Sequence, residues 1–401
     1  MELDYIKVIS GGITAPVGFK AVGGHCGLKK NGQKDLAIIY SEAEETVAKG
    51  VFTKNSIPAA PVSLSRVRLR DGKLRAIIIN SGVANAGTGK KGYDNADAVT
   101  QEAACELGLK KSEVTMCSTG KIGVPLPVES VARGLKYLCK KLSQEGNYSA
   151  AEAIMTTDTR VKEIALEVTL PDGVIKIGAM AKGAGMINPD MATMLAFITT
   201  DAKVRANTLK KNLSAAVNIS FNKITIDGDM STNDTVIAIA NGMSETEVKP
   251  NTKSEKIFSS AVKFICLQLA EMIVKDGEGA TKFVKIKVMG AKSKKDASLA
   301  ARAVANSLLF KVALFGQNPN WGRLIDALGY SGAVLVPEKI SVNFGDIETV
   351  KEGVAVEGAE YLLRKYMVQR EINITIDLAM SVYKEEIWTC DIGRRYIDIN
   401  V

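Results

Sequence analysis

The stretch KGAGMINPDMATMLAFITTDA, from Lys182 to Ala202, decides how the rest of the sequence is interpreted. A glycine-rich polar loop stops at Ala192-Thr193, and an apolar run, 194–198, follows at once. A short apolar run of this kind is typical of a buried strand. A threonine between such a loop and such a strand is a candidate nucleophile, although the plain start of a strand also fits the pattern.

The chemistry of Thr193 depends on which base is at hand. The chain has a single histidine, His25, in the turn-like segment VGGHCGLKK, where we expect a structural role. A free α-amine on the nucleophile's own residue is another base, and its pKa of about 8 leaves part of it neutral near pH 7. Thr193 acquires that amine only if its hydroxyl attacks the carbonyl of Ala192 and the chain is cut there. Self-cleavage and a purely structural threonine both remain open on these residues alone.

Composition narrows the class of protein. The chain has 401 residues, 46% hydrophobic and 24% charged, which suits a globular fold with a large core. The net charge of +8 comes from dispersed lysine pairs without interleaved aromatics, so no nucleic-acid partner is expected. Six scattered cysteines form no CxxC pair, and no metal site is expected. No apolar run approaches membrane-spanning length, and the start MELDYIKVISGG has no signal-peptide pattern, which predicts a cytoplasmic protein.

Periodicity predicts strands and helices that follow each other in blocks, which favours α+β layers over a doubly wound sheet. The predicted strands are 35–40, 46–53, 74–80, one that begins at Val114 and enters the turn CSTGKIG, 164–168, 174–177, 194–198, 283–288, 333–336, 340–343, 371–376 and 386–390. The predicted helices are 95–107, 127–142, 206–217, 253–275, 295–309 and 358–367.

Two polar turns follow predicted strands. INSGVANAGTG, with Asn80, Ser81 and Asn85, either cradles an anion through backbone N–H groups or is a loop whose residues suit positive φ. CSTGKIG, with Thr119 and Gly120, either supplies N–H and hydroxyl donors to a developing oxyanion or is an ordinary turn. The aspartates at 227, 229 and 234 lack the register of a calcium loop and are interpreted as parts of tight turns.

Long motifs occur in a fixed order along nearly the whole chain: GGITAPVGFKAVGG, GVFTKNSIPAAPV, INSGVANAGTG, CSTGKIG, TTDT, KGAGMINPDMATMLAFITTDA, SFNKITIDGDMSTNDT, DGEGATKF and NPNWGR. In them the chain resembles the glutamate N-acetyltransferase (ornithine acetyltransferase) family of arginine biosynthesis. The resemblance implies an αββα sandwich and a self-cleaving N-terminal-nucleophile enzyme. It also implies an α chain, 1–192, and a β chain, 193–401, that assemble as an α2β2 heterotetramer.

The reaction implied by the resemblance is a ping-pong transfer without a cofactor. Thr193 takes the acetyl group from N2-acetylornithine, ornithine leaves, and glutamate accepts the group to give N-acetylglutamate. Acetyl-CoA is retained as a second donor. The rival hypothesis is an N-terminal-nucleophile amidase or aminopeptidase, which passes the acyl group to water. A third hypothesis is a binding protein that is not cut and has no catalytic activity.

The same resemblance assigns roles to individual residues. Thr119 and Gly120 are implied to form the oxyanion hole. The implied substrate contacts are Thr156 of TTDT, Lys182 of KGAGM, Thr193, Glu278 of DGEG, and Asn400. A lysine suits a substrate carboxylate, and a glutamate suits the cationic amine of ornithine.

Two departures stand out. Members of that family usually end in a hydroxyl residue a few positions after the asparagine, whereas this chain stops at Asn400-Val401. The C-terminal substrate contact is therefore in question. Asn318 also stands where the family often has aspartate.

Overall fold

The computed structural model describes residues 3–30, 32–188 and 194–401. The predicted cleavage site, Ala192–Thr193, lies outside these residues. The fold is α+β, as the sequence predicted, and the chain divides into two compact units. Unit 1 draws its described residues from Met1–Gly183, Pro189–Asn222 and Met230–Ile273, and unit 2 from Ala184–Asn188, Lys223–Asp229 and Val274–Val401.

Unit 1 contains two large sheets and a two-stranded one. Its strands are β1 Ile6–Ile9, β2 Phe19–Gly24, β3 Leu36–Ser41, β4 Val47–Phe52, β5 Ala76–Asn80, β6 Val114–Ser118, β7 Lys162–Leu170, β8 Gly173–Lys182, β9 Leu195–Thr200, β10 Lys203–Val204, β11 Thr235–Ala240 and β12 Glu247–Val248. Its helices are α1 Ala60–Arg68, α2 Gly89–Leu107, α3 Val128–Leu138, α4 Asn147–Ala153, α5 Ala206–Ile219 and, up to residue 273, α6 Lys253–Lys275.

The six-stranded sheet has the order β1-β7-β8-β9-β11-β4. β8 and β9 are antiparallel, with Lys182 opposite Leu195, so the chain leaves one strand and enters the next at the same end of the sheet. β9 and β11 are parallel neighbours, and every residue of both is buried. Continuous apolar runs are what strands covered on both faces require.

Alternation along β3 separates two apolar cores. Ile39 lies in the core between the six-stranded sheet and the four-stranded sheet β2-β3-β5-β6, together with Phe197 of β9. Its neighbour Ile38 points to the opposite face and packs with Val99 of α2 and Leu135 of α3. Helix α5 packs against β4, and its buried residues lie outside the core between the sheets. The layers of unit 1 are therefore helix, sheet, sheet and helix, which agrees with the αββα sandwich.

Unit 2 is built on a second six-stranded sheet, of order β16-β15-β14-β17-β13-β18. Helix α7 packs on β13 and β18, and the remaining core comes from α8, α9 and α10. The strands are β13 Phe283–Ala291, β14 Ser341–Phe344, β15 Ile347–Lys351, β16 Val354–Ala355, β17 Glu371–Asp377 and β18 Tyr383–Cys390. The helices are α7 Lys294–Asn306, α8 Leu308–Phe315, α9 Gly322–Gly329, α10 Ala359–Tyr366 and α11 Arg394–Asn400.

Two predicted elements of unit 2 differ from the structure. The single helix expected over 295–309 is interrupted at Ser307, whose backbone is extended and whose hydroxyl caps α8 by accepting a hydrogen bond from the Phe310 amide. The strand expected over 333–336 is irregular. There the Val334 amide donates to the Asp296 carboxylate at 3.1 Å.

Helix α6 is the most apolar long helix in the described chain. With a mean hydropathy of 1.7, α6 is long and apolar enough to cross a bilayer. The pair α7–α8 is also long and apolar enough if the two helices, which meet at a 53° bend, are counted as one span. However, 56% of the apolar stretch of α6 is buried inside the protein, and Ile257, Ile265 and Leu269 are fully buried. This one-sided burial is that of a core helix.

Candidate active site

Three of the predicted site residues meet in unit 1. Lys182 is the last residue of β8, Thr119 follows β6, and Thr156 follows α4. The Lys182 ammonium donates to the Thr156 hydroxyl at 2.6 Å and reaches the Thr119 hydroxyl at 3.5 Å. Lys182 is only 7% exposed. A nearly buried ammonium that holds two hydroxyls can receive one anionic group of a ligand.

The carboxylate of Asp158 lies beneath this group. It accepts hydrogen bonds from the Lys162 ammonium at 2.7 Å, the Gly183 amide at 2.7 Å and the Thr156 amide at 2.9 Å. The Lys182 ammonium is 3.8 Å away. Burial alone would raise the pKa of Asp158, but the two ammonium charges and the hydrogen bonds to the carboxylate together outweigh it and hold that pKa well below its ordinary value. Asp158 is therefore an anion at any physiological pH.

The turn at Thr119-Gly120 is exposed on the Gly120 side. The Thr119 amide donates to the Asn80 carbonyl at 3.0 Å, so it is already used within the fold. Within the described residues, the Gly120 amide forms no hydrogen bond inside this turn. This turn can therefore offer a ligand two hydrogen-bond donors, the Gly120 N–H and the Thr119 hydroxyl. A backbone N–H and a side-chain hydroxyl are donors of the kinds that stabilise an oxyanion.

The polar side chains of INSGVANAGTG bond within the protein. The Asn80 amide donates to the Val83 carbonyl at 2.8 Å and its oxygen accepts from the Ser118 hydroxyl, while Ser81 donates to the Ala153 carbonyl. All of these side chains are buried. This favours a supporting loop over an anion cradle: the segment holds the turn that carries Thr119.

The other two predicted residues, Glu278 and Asn400, meet in unit 2. The Asn400 amide donates to the Glu278 carboxylate at 2.6 Å, and the Glu278 amide donates to the Ala184 carbonyl at 2.8 Å. Glu278 packs so closely on Gly185 that a Cβ there would lie 2.4 Å from its carboxyl group. Asn400 belongs to α11 and is exposed, and the last residue, Val401, is 97% exposed.

The remaining polar segments are structural. Asp227 accepts the amide of Asp229, two residues on, as expected in a tight turn, and it also accepts the amides of Met186 and Ile187 from a segment distant in sequence. Within the described ranges there is no cluster of three residues with metal-binding side chains. His25 is exposed and its ring nitrogen lies 2.9 Å from the Gln33 carbonyl.

Sequence reasoning gave no role to Asp158 of the TTDT motif and interpreted Asp234 only as part of a tight turn, whereas both residues are buried. Burial raises the pKa of Asp234 well above its ordinary value, and its Oδ2 has no hydrogen-bond partner in the described part of the chain. Two of the partners of Asp158, Lys182 and Gly183, are distant in sequence, and the burial of either acid cannot be inferred from residue spacing.

Comparisons with known proteins agree with this architecture. The sequence model of the ArgJ family matches residues 20–401. A relative from Caldanaerobacter subterraneus, "Arginine biosynthesis bifunctional protein ArgJ", is 42% identical over 98% of this chain and 99% of its own length. The "Glutamate N-acetyltransferase" of Methanocaldococcus jannaschii is 44% identical over 98% of this chain and 99% of its own. A crystal structure of the ArgJ protein of Bacillus halodurans is similar with a TM-score of 0.50 and 37% identity, covering 52% of this chain and 99% of that one.

These matches define the protein as an acyltransferase enzyme of arginine biosynthesis. The chain belongs to the ArgJ family.

Proposed function

We propose that the chain transfers the acetyl group of N2-acetylornithine to glutamate, giving ornithine and N-acetylglutamate. The proposal rests on the buried Lys182 ammonium, which contacts the hydroxyls of Thr156 and Thr119 next to the exposed turn at Gly120. It rests equally on the membership of the chain in the ArgJ family. Both substrates carry an α-carboxylate, which is the group that such an ammonium binds best.

In the proposed first half-reaction the Thr193 hydroxyl attacks the acetyl carbonyl and its proton passes to the free α-amine of Thr193. The negative oxygen that develops accepts hydrogen bonds from the Gly120 N–H and the Thr119 hydroxyl. The C–N bond breaks, the α-amine returns the proton to the leaving nitrogen, and ornithine departs. An acetyl ester remains on Thr193.

In the second half-reaction the neutral amine of glutamate attacks this ester. The nitrogen of glutamate loses a proton to the α-amine of Thr193, the α-amine passes that proton to the departing Thr193 oxygen, and N-acetylglutamate is released. Glu278 and Asn400 remain proposed substrate contacts on the strength of the family resemblance. Acetyl-CoA is proposed as a second donor to the same threonine, consistent with the word "bifunctional" in the names of relatives.

The proposal includes self-cleavage between Ala192 and Thr193, which frees the amine that acts as the base. The sheet order supports a cut that leaves the two parts joined. β8 and β4 precede the cut, whereas β9 and β11 follow it and lie between those two strands. The crystallised Bacillus halodurans chain spans 52% of this chain, about the share of residues 193–401. Association of the pieces as α2β2 is part of the same proposal.

Thr193→Ala is the decisive variant. We expect one full-length band on a denaturing gel and no ornithine release, whereas Thr193→Ser, which keeps a hydroxyl, should still give two bands of nearly equal size. Transfer retained by Thr193→Ala would refute the assignment. Ornithine release by the wild type without glutamate would identify an amidase, and release that requires glutamate supports transfer.

A further inference from the structure

We propose that Asn233 is a positioning residue, whose side chain ties the oxyanion turn, residues 118–120, to the segment that leads into β11. The inference rests on the proposed function, in which the Thr119 hydroxyl and the Gly120 N–H stabilise the negative oxygen of the reaction. It adds a residue to which neither the sequence nor the family resemblance gives an individual role.

The first support is the way in which the side chain of Asn233 is bonded. It is 6% exposed, and its amide nitrogen donates to the Ser118 carbonyl at 2.8 Å and to the Ala84 carbonyl at 2.7 Å. Its amide oxygen accepts the Thr232 hydroxyl at 2.7 Å. A side-chain amide has two N–H donors, so backbone carbonyls use both of them. These contacts hold the buried amide in one orientation.

The second support is the peptide group to which the Ser118 carbonyl belongs. The N–H of that group is the Thr119 amide, which donates to the Asn80 carbonyl at 3.0 Å. Because a peptide group is planar, bonds at both of its ends fix its orientation. The Thr119 side chain and the Gly120 N–H follow directly from this plane along the chain. Loss of the bond from Asn233 would leave the carbonyl end free to turn, and both donors would turn with it.

The third support is the place of Asn233 in the six-stranded sheet. β11 begins two residues later, at Thr235, which lies opposite Leu195 of the parallel strand β9. The Thr235 amide donates to the Met194 carbonyl at 3.0 Å. Met194 directly follows the predicted nucleophile, Thr193, in the sequence. Asn233 therefore joins the neighbour of the nucleophile's strand to the turn that offers the oxyanion donors.

A matched control lies at the other end of the same strand. Asn241 directly follows β11 and is also 6% exposed. Its amide nitrogen donates to the Val17 carbonyl at 2.9 Å, and its amide oxygen accepts the Met243 amide at 3.2 Å. Asn233→Ala and Asn241→Ala should both lose stability in chemical denaturation, because each leaves a buried carbonyl without its donor. Only Asn233→Ala changes a contact of the oxyanion turn.

The test measures kcat/KM for N2-acetylornithine in both variants, counted per cleaved chain as judged on a denaturing gel. In a ping-pong reaction this ratio reports only the first half-reaction, in which the oxyanion first develops. Removal of one oxyanion donor lowers kcat about 100- to 1,000-fold, so displacement of the turn in Asn233→Ala should lower kcat/KM at least about ten-fold. In Asn241→Ala kcat/KM should stay close to that of the wild type.

The second readout is the Kd of ornithine, the product, measured by calorimetry. Ornithine has no acetyl group and does not use the oxyanion donors, so its Kd should be unchanged in Asn233→Ala. A merely structural role predicts that kcat/KM and ornithine binding weaken together. Equal kcat/KM in Asn233→Ala and Asn241→Ala, or a parallel loss of ornithine binding, would overturn the inference.

If Asn233→Ala does not give a folded and cleaved protein, Asn233→Thr decides by the same two readouts. Threonine suits an extended segment, leaves a smaller cavity than alanine, and its hydroxyl can replace at most one of the two donors. We expect its kcat/KM to lie below that of Asn241→Ala, with ornithine binding kept, and an equal value would overturn the inference. Absence of ornithine release by the wild type in the presence of glutamate would instead count against the proposed function.

Discussion

Replacement of Gly120 by alanine tests whether the turn after β6 must hold its present backbone. Gly120 has φ +126°, a region that favours glycine. A Cβ there would lie 2.3 Å from the carbonyl carbon and 2.6 Å from the carbonyl oxygen of Gly82. Both contacts are with backbone, which cannot rotate aside as a side chain can.

The expected loss of folding free energy in Gly120→Ala has two parts. Alanine at positive φ costs about 1–2 kcal/mol, and forcing an extra methyl group into a packed site costs about 1–3 kcal/mol. Gly123, three residues on, has φ +80° but open space where a Cβ would lie. Gly123→Ala should therefore show only the cost of alanine at positive φ. Relief of the clash at Gly120 needs a backbone shift of about 1 Å, and a misplacement of that size can lower activity about 100-fold.

The assay is chemical denaturation together with kcat/KM for acetyl transfer. Gly120→Ala should be less stable than Gly123→Ala by about 1–3 kcal/mol, the overpacking part alone. It should also lose about 100-fold in kcat/KM, whereas Gly123→Ala stays within a few-fold of the wild type. Equal stability and equal activity in the two variants would refute the reasoning from backbone contact.

Three further perturbations follow from the site. Lys182→Met should raise the KM for N2-acetylornithine about 10- to 100-fold, since a hydrogen bond to a charged group is worth about 1.5–3 kcal/mol; a loss confined to kcat would contradict this. Asn400→Ala removes the 2.6 Å donor of Glu278 and should raise KM up to about ten-fold, whereas deletion of the exposed Val401 should leave kinetics unchanged; equal effects would contradict the assignment. The raised pKa of Asp234 makes its stabilising contribution complete below its unfolded pKa and lost as pH rises. Asp234→Asn should therefore gain stability relative to the wild type between pH 4 and 8 in thermal melts, and a constant difference would contradict the pKa direction.

Much of the fold could be predicted because apolar runs decide burial. The predicted helix 253–275 matches α6, and the run 194–198 lies almost entirely in β9, one of the fully buried strands. The failures are local. Alternation over 333–336 predicted a strand, but a strand also needs a partner, and the Val334 amide bonds to a side chain instead. Apolar periodicity across 295–309 could not reveal that Ser307 restarts the helix.

The candidate site was predictable only in part. Motifs pointed to Thr119, Thr156 and Lys182, and the structure brings their side chains together. Asp158 was given no role, because residue spacing reveals neither its burial nor its contacts with Lys182 and Gly183. The role of Thr193 stays a prediction, and so does the division into chains 1–192 and 193–401.

The place of β9 and β11 between β8 and β4 has a consequence for how the protein is made. Strands from early and late in the chain must pair before the sheet is complete, and such distant pairings are slow to form. Synthesis as one polypeptide keeps the partners at high effective concentration during this search. A gene divided at codon 193 would encode the same residues, yet its two products would have to find each other while each exposed strand edges that invite aggregation. Synthesis as one polypeptide thus tethers the strands of this sheet to each other while they pair.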